Sequence, residues 1–282
     1  MHKVSFLSYP LPWPEPVVPR YRPASIGKWK CSPTPAGNAI LGYWRPQNWV
    51  PPGWMFERKT GNKWVKWMSL TPMELESHMP HIAAARGTVV VAGLGMGMYL
   101  YNILRKPEVT RVIVLERDKA VVKLLSHTAQ FTTWQGSSKL ELVIGDAFNY
   151  RPDFPVDYLY ADIWEFLGDE RALPDTQILQ ANIQAKEVGF WGQEWDYIDY
   201  LRVRNLPGTL DRNCNLATYQ AFCQEIGLPL VERESKRYPK LAYVAITLQV
   251  SLNSKKAEAP LLLAQALGVL QNEILLDHVI RV

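Results

Sequence analysis

Residues 89–100 read VVVAGLGMGMYL, and this stretch constrains the chain more than any other. β-branched residues run into three glycines at alternate positions, Gly93, Gly95 and Gly97, and a second apolar run follows from Met98 to Leu104. That order reads as buried strand, tight turn and helix. Glycine weakens a helix interior by roughly 1 kcal/mol per position relative to alanine. The loss is offset either by a turn that needs glycine's freedom or by a ligand brought against bare backbone beside a helix N-terminus.

From Thr88 onward, strands and helices alternate. The predicted strands are Thr88–Ala92, Arg111–Glu116, Leu140–Ile144, Val156–Ala161 and about Glu187–Gly192; the clearest helices are Met98–Arg105 and Asp118–Ser126. Apolar strands alternating with helices specify a parallel sheet covered on both faces. Beyond it, NLATYQAFCQEIG reads as a helix stopped by Gly227, and LPLVERESKRYPKLAYVAITLQV as two strands forming an antiparallel edge. The expected fold is therefore α/β, a Rossmann-like seven-stranded sheet, mostly parallel with an antiparallel edge strand. The expected division is 1–70, 71–250 and 251–282, the last a helical tail from about Ala259 to Val282.

The first part of the chain has its own composition. Eleven of the 21 prolines lie at or before Pro52, and seven of the 11 tryptophans at or before Trp67. Disordered segments are poor in aromatics, so this Pro/Trp-rich extension is expected to be ordered chain packed on the body. GWMFERKTGNKWVKWMS then reads as a β-hairpin turning at Thr60-Gly61-Asn62. In TPMELESHMPHIAAA, Thr71, Pro72 and Glu74 open a helix that Pro80 kinks or splits.

A net charge of +4 over 282 residues is too small to imply nucleic acid or an acidic membrane as a partner. Cys31, Cys214 and Cys223 fit no metal-ligand spacing, so no metal is expected. The start has no signal-peptide apolar core, and no run of 18 apolar residues spans a membrane. A cytoplasmic protein is expected, with the N-terminal or C-terminal segment able to pair two copies as a homodimer.

Ligands of a parallel α/β sheet bind beyond the C-terminal ends of its strands. Three acids stand at such ends: Glu116 closes VIVLERD, Asp146 follows ELVIGD, and Asp162 follows VDYLYAD. A carboxylate at Glu116 can accept both hydroxyls of a ribose. Asp146 can accept from an exocyclic amine while the Ala147 N–H donates to a ring nitrogen. The glycine spacing is G-x-G-x-G, not the G-x-G-x-x-G of a dinucleotide site. Together these residues describe a concave site for an adenine nucleoside.

These motifs resemble the class I S-adenosylmethionine-dependent methyltransferases, and within that fold the spermidine synthase-like branch. The resemblance covers about Trp54 to Val250: GLGMG as the first motif, LERD as the ribose acid, GDAF as the adenine contact, YADIW as the fourth motif and EVGFWGQ as the fifth strand. It implies S-adenosyl-L-methionine as cofactor, with Gly93, Gly95, Met96 and Gly97 beside its amino-acid part, Glu116 on the ribose, Asp146 and Ala147 on the adenine, and Asp162 at the reactive end. Asp162 and then Glu165 are the candidate catalytic carboxylates, with a small molecule as acceptor. Trp164, Trp191 and Trp195 are either core residues or walls of the acceptor pocket. His78 and His81 share a helix face and are expected to hydrogen-bond near the cleft or to lie on the surface.

Two departures separate the chain from the aminopropyltransferases of that branch. Met96 stands where they carry an acid within the glycine turn, and Asp162-Ile163-Trp164-Glu165-Phe166 lacks their proline. Methyl transfer is thus the leading expectation and aminopropyl transfer the alternative. A silent nucleoside-binding module is a third reading.

Overall fold

The computed structural model describes residues 11–38, 42–45, 49–253 and 268–269. In chain order the strands before the glycine turn are β1 (Ala24–Ile26), β2 (Trp29–Thr34), β3 (Gly37–Asn38), β4 (Trp49–Val50), β5 (Gly53–Thr60) and β6 (Lys63–Ser69). Helices α1 (Pro72–Ser77) and α2 (Met79–Ala84) follow, then β7 (Gly87–Ala92), α3 (Met98–Leu104), β8 (Val109–Glu116), α4 (Lys119–Ala129), β9 (Leu140–Ile144) and β10 (Tyr158–Ala161). The remainder is α5 (Ala172–Ile183), β11 (Glu187–Phe190), α6 (Gln193–Arg204), α7 (Leu210–Asn213), α8 (Leu216–Ile226) and α9 (Tyr238–Asn253).

Strands β11, β10, β7, β8 and β9 lie side by side in that order, every neighbouring pair parallel. Val89, Val90, Val91, Val112, Ile113 and Val114 are almost fully buried because helices cover both faces. One core layer gathers Val90, Ile113 and Leu159 with α5, α6 and α9; the other gathers Val89, Val91 and Val112 with α3 and α4. The chain leaves β7 toward β8 on one side and enters β10 on the other. The carboxyl ends of β7 and β10 therefore flank the point where the strand order reverses.

The expected seven strands need correcting: among the described residues this sheet has five, all parallel. The stretch read as an antiparallel edge pair contains the sixteen-residue α9 instead, and Leu230 makes only an isolated parallel bridge to Val188. Tyr238, Leu241, Ala242, Tyr243, Val244, Ala245, Ile246 and Leu248 are all buried, so the run is apolar on every side. Periodicity cannot separate such a helix from a strand. The tail from Ala259 to Val282 lies outside the described residues except 268–269.

The hairpin forms as expected, β5 and β6 pairing across Gly61-Asn62, and it belongs to a four-stranded antiparallel sheet ordered β1-β2-β5-β6. Residues 11–23 have no regular secondary structure and lie on the body. Trp13 donates to Glu232, the Val17 backbone exchanges two hydrogen bonds with Asn102, and the Tyr21 hydroxyl donates to the Met96 carbonyl. Further on, Tyr43 and Trp44 are fully buried, their polar atoms donating to Glu194 and Glu76. Pro80 splits the predicted helix in two, standing near the start of α2 where its missing N–H is harmless.

Candidate functional site

The glycine turn is built by conformation first. Gly93, Gly95 and Gly97 have φ of 99°, 52° and 73°, all in the left-handed region. Their spaces differ. A Cβ on Gly93 would stand 2.1 Å from the Asp162 carbonyl oxygen, so that glycine lets β7 and β10 converge. A Cβ on Gly95 would meet only the thioether end of Met68, at 3.0 Å. Of the two readings of the turn, the conformational one explains Gly93, and Gly95 alone faces open cleft behind a flexible side chain.

That cleft lies where β7 and β10 end. The turn from Gly93 to Met98 forms its floor, with Met68, Ser69 and Leu70 of the hairpin on one side and Glu74, His78, Tyr99, Tyr160 and Asp162 on the other. Gly93 N–H is used by Leu115, Leu94 N–H by Glu116 and Gly97 N–H by Leu94. The N–H groups of Gly95 and Met96 have no partner among the described residues. Unpaired donors at a cleft floor attract an anionic group.

Glu116 is 9% exposed, with one carboxylate oxygen accepting from Leu94 N–H at 3.2 Å and the other from Asp118 N–H at 2.7 Å. It thus ties the glycine turn to the end of β8, a role its sequence position did not reveal. Burial pushes its carboxyl upward in pKa and the two N–H donors oppose this. Asp146 is exposed and caps the following turn through Phe148 N–H, while the Ala147 N–H has no partner among the described residues.

Asp162 is held by backbone, its N–H donating to Ala92 at 2.9 Å. Burial pushes its carboxyl up to about 7; the nearby Glu74 charge adds to the rise and His78 opposes it. The His78 Nε2 stands 3.9 Å from Glu74 and 4.0 Å from Asp162, and its Nδ1 is 2.7 Å from the Tyr160 hydroxyl. The Tyr99 and Tyr160 rings stack 4.2 Å apart behind it. His81 is fully buried, with Nδ1 3.0 Å from the Tyr158 hydroxyl and Nε2 without a partner, and burial depresses its pKa. Both histidines are therefore interior hydrogen-bonding groups beside the cleft.

Glu165 is not among the cleft-lining residues; it stands 3.7 Å from Arg58 of β5. Trp164 and Trp191 are buried in the body, donating to Asp175 and Ser77, and Trp195 packs against Gly168. The cleft's aromatic wall is instead Tyr99 and Tyr160. Glu76, a second acid of α1, turns away from the cleft and receives Arg45 and the Trp44 N–H. Sequence reasoning missed Tyr99, Tyr160 and Met68 as lining residues. Tyr160 stands two residues before Asp162 at the end of β10, a signal that was present in LYAD.

No protein-family model matches the chain, and no curated protein matches it. Among solved structures it is similar to a SAM-dependent methyltransferase from Thiobacillus denitrificans in complex with S-adenosyl-L-homocysteine. That likeness has 15% identity and a TM-score of 0.35, over 68% of this chain and 81% of the other. A second such methyltransferase, from Geobacter sulfurreducens and also with S-adenosyl-L-homocysteine, gives 15%, 0.34, 66% and 78%. A 23S rRNA methyltransferase gives 20%, 0.26, 31% and 34%. Three further structures are matched over less than half of their own length, 36, 44 and 46%.

Proposed function

We propose that this protein transfers a methyl group from S-adenosylmethionine. One observation carries the reading: the unpaired N–H groups of Gly95 and Met96 and the raised carboxyl of Asp162 share a single cleft at the point where the strand order reverses. When bound, S-adenosylmethionine supplies a methyl group on a positively charged sulfur. The chain's residues have to hold, align and dry the reactants. Gly95 and Met96 would hold the carboxylate of the cofactor, Glu116 its ribose hydroxyls, and Asp146 with Ala147 its adenine. Asp162 would accept a proton from the acceptor's N–H or O–H, a task suited to a carboxyl that ionises near neutrality. Tyr99, Tyr160 and His78 would exclude water. The cleft suits a small nucleophilic group, whether a free small molecule or a group carried on something larger.

A second reading, aminopropyl transfer of the spermidine synthase type, is favoured by Glu74. Its carboxylate lines the cleft and faces Asp162 across His78. An acid so placed would repel the carboxylate of S-adenosylmethionine and accept the decarboxylated form. Calorimetric titration of one preparation with both compounds decides between them. Methyl transfer requires S-adenosylmethionine to bind at least as tightly. A tenfold preference for the decarboxylated form reverses the choice, and binding of neither removes both readings.

A further inference from the structure

The protein's net charge of +4 is not spread over its surface. Strands β1, β2, β5 and β6, with their turns, carry Lys28, Lys30, Arg58, Lys59, Lys63 and Lys66 against the single carboxylate Glu57, a net of +5. The rest of the chain therefore sums to −1. The Glu57 charge is already taken, by Lys30 at 2.7 Å and by the Ser32 hydroxyl at 2.6 Å. Lys28 and Arg58 have Asp118 and Glu165 as partners, but Lys59, Lys63 and Lys66 form no ion pair among the described residues.

Strand register decides which of these groups act together. Lys30 pairs with Glu57 and Glu57 with Lys66, while Lys59 pairs with Trp64. Lys30, Lys59, Lys66 and Trp64 therefore share one face, the one turned away from the body. Trp64 is 36% exposed and has the Lys30 ammonium 4.9 Å from its ring centre. On the opposite face, Arg58 stacks on Trp67 at 3.9 Å. An exposed indole among unpaired ammonium groups matches a nucleobase with its flanking phosphates: the ring takes the base and the cations take the charge.

We propose that this small sheet is a binding platform for single-stranded nucleic acid, with Trp64 stacking a base and Lys59 and Lys66, on the same face, holding phosphates. β6 is the outer strand of its sheet, and its far end supplies Met68 and Ser69 to the cleft. The four residues from Trp64 to Met68 span about 13 Å of extended chain, so a strand held on Trp64 lies within a few nucleotides of Asp162. An anionic membrane fits less well. Trp64 and Val65, the two most apolar side chains near the hairpin tip, point to opposite faces and cannot enter a bilayer together.

Fluorescence anisotropy of a labelled single-stranded oligonucleotide with the full chain tests the platform. Two phosphate contacts predict an affinity that falls roughly sevenfold between about 50 and about 200 mM salt. Trp64→Ala is expected to weaken binding by about fivefold or more, and Lys59→Ala with Lys66→Ala to flatten the salt dependence. All three side chains are exposed, so thermal melting should stay unchanged. No binding at low salt overturns the proposal. So does undiminished binding by Trp64→Ala, which would leave only diffuse charge attraction. Tighter binding to anionic phospholipid vesicles or to polyglutamate would assign the face to a membrane or an acidic protein instead. Calorimetry with S-adenosylhomocysteine on the same variants should show no change, which keeps this test separate from the cleft.

Discussion

Gly93 and Gly95 are two residues apart and should answer differently to the same substitution. Alanine at 93 combines a φ of 99° with a backbone oxygen 2.1 Å from the new Cβ, and that oxygen cannot move without parting β7 from β10. Gly93→Ala is expected to lose roughly 3 kcal/mol or more of stability. Gly95→Ala should lose only about 1–2 kcal/mol, from backbone conformation alone, because the Met68 thioether can swing away. Its affinity for S-adenosylhomocysteine should nonetheless fall, since the methyl stands in the cleft. Denaturant titration and calorimetry on both variants check this; equal destabilisation of the two would contradict the assigned spaces. The Asp162 carboxyl gives a prediction with a definite sign. Between its ordinary value and about 7 the folded chain keeps a proton that the unfolded chain has released, so this group makes the fold less stable as pH rises through that window. Asp162→Asn removes the effect and should gain on the parent by roughly 1–3 kcal/mol by neutral pH. Asp196, also pushed up to about 7, acts alike in both proteins and cancels in the difference. A constant gap across the range would refute the raised carboxyl.

At the scale of elements, what was legible followed from local chemistry. The valine runs of β7 and β8, the cap at Thr71 and the stop at Gly227 each rest on a few adjacent residues, and all appear where expected. Asn215 adds a capping box with Thr218, so Asn215→Ala should cost about 1 kcal/mol and fray α8 first. Hydrogen exchange at the first turn of that helix reads this out. What was illegible depends on tertiary surroundings. α9 looks like strand because its apolar run is buried on every side. Glu165 looks like a second site carboxylate until Arg58, more than a hundred positions earlier, is found beside it. Glu74 and Glu76 are equivalent in sequence, yet one lines the cleft and the other is closed off by Arg45.

On the scale of the whole molecule, the cleft is assembled from separate parts: the hairpin, the α1–α2 junction, the glycine turn and the end of β10. A ligand that binds it should therefore stabilise the entire fold. S-adenosylhomocysteine at a hundred times its dissociation constant is expected to add about 2.7 kcal/mol, visible as a rise in Tm; a flat melting profile with this ligand would count against the site. The N-terminal segment is as much a part of the body as the sheet. Trp44 is fully buried, and Trp44→Ala should cost about 3–5 kcal/mol by denaturant titration.

That segment's contacts also set an order in time. Trp13 reaches Glu232, 219 residues away, and Tyr43 reaches Glu194, 151 residues away. The Gly42 carbonyl accepts from Gln249, 207 residues away. During synthesis Trp13, Gly42 and Tyr43 are made well before these three partners, so these contacts cannot form until α6 and α9 have been made. Contacts this distant close slowly. The burial of Trp13 and Tyr43 against these partners is therefore a late event relative to their own synthesis.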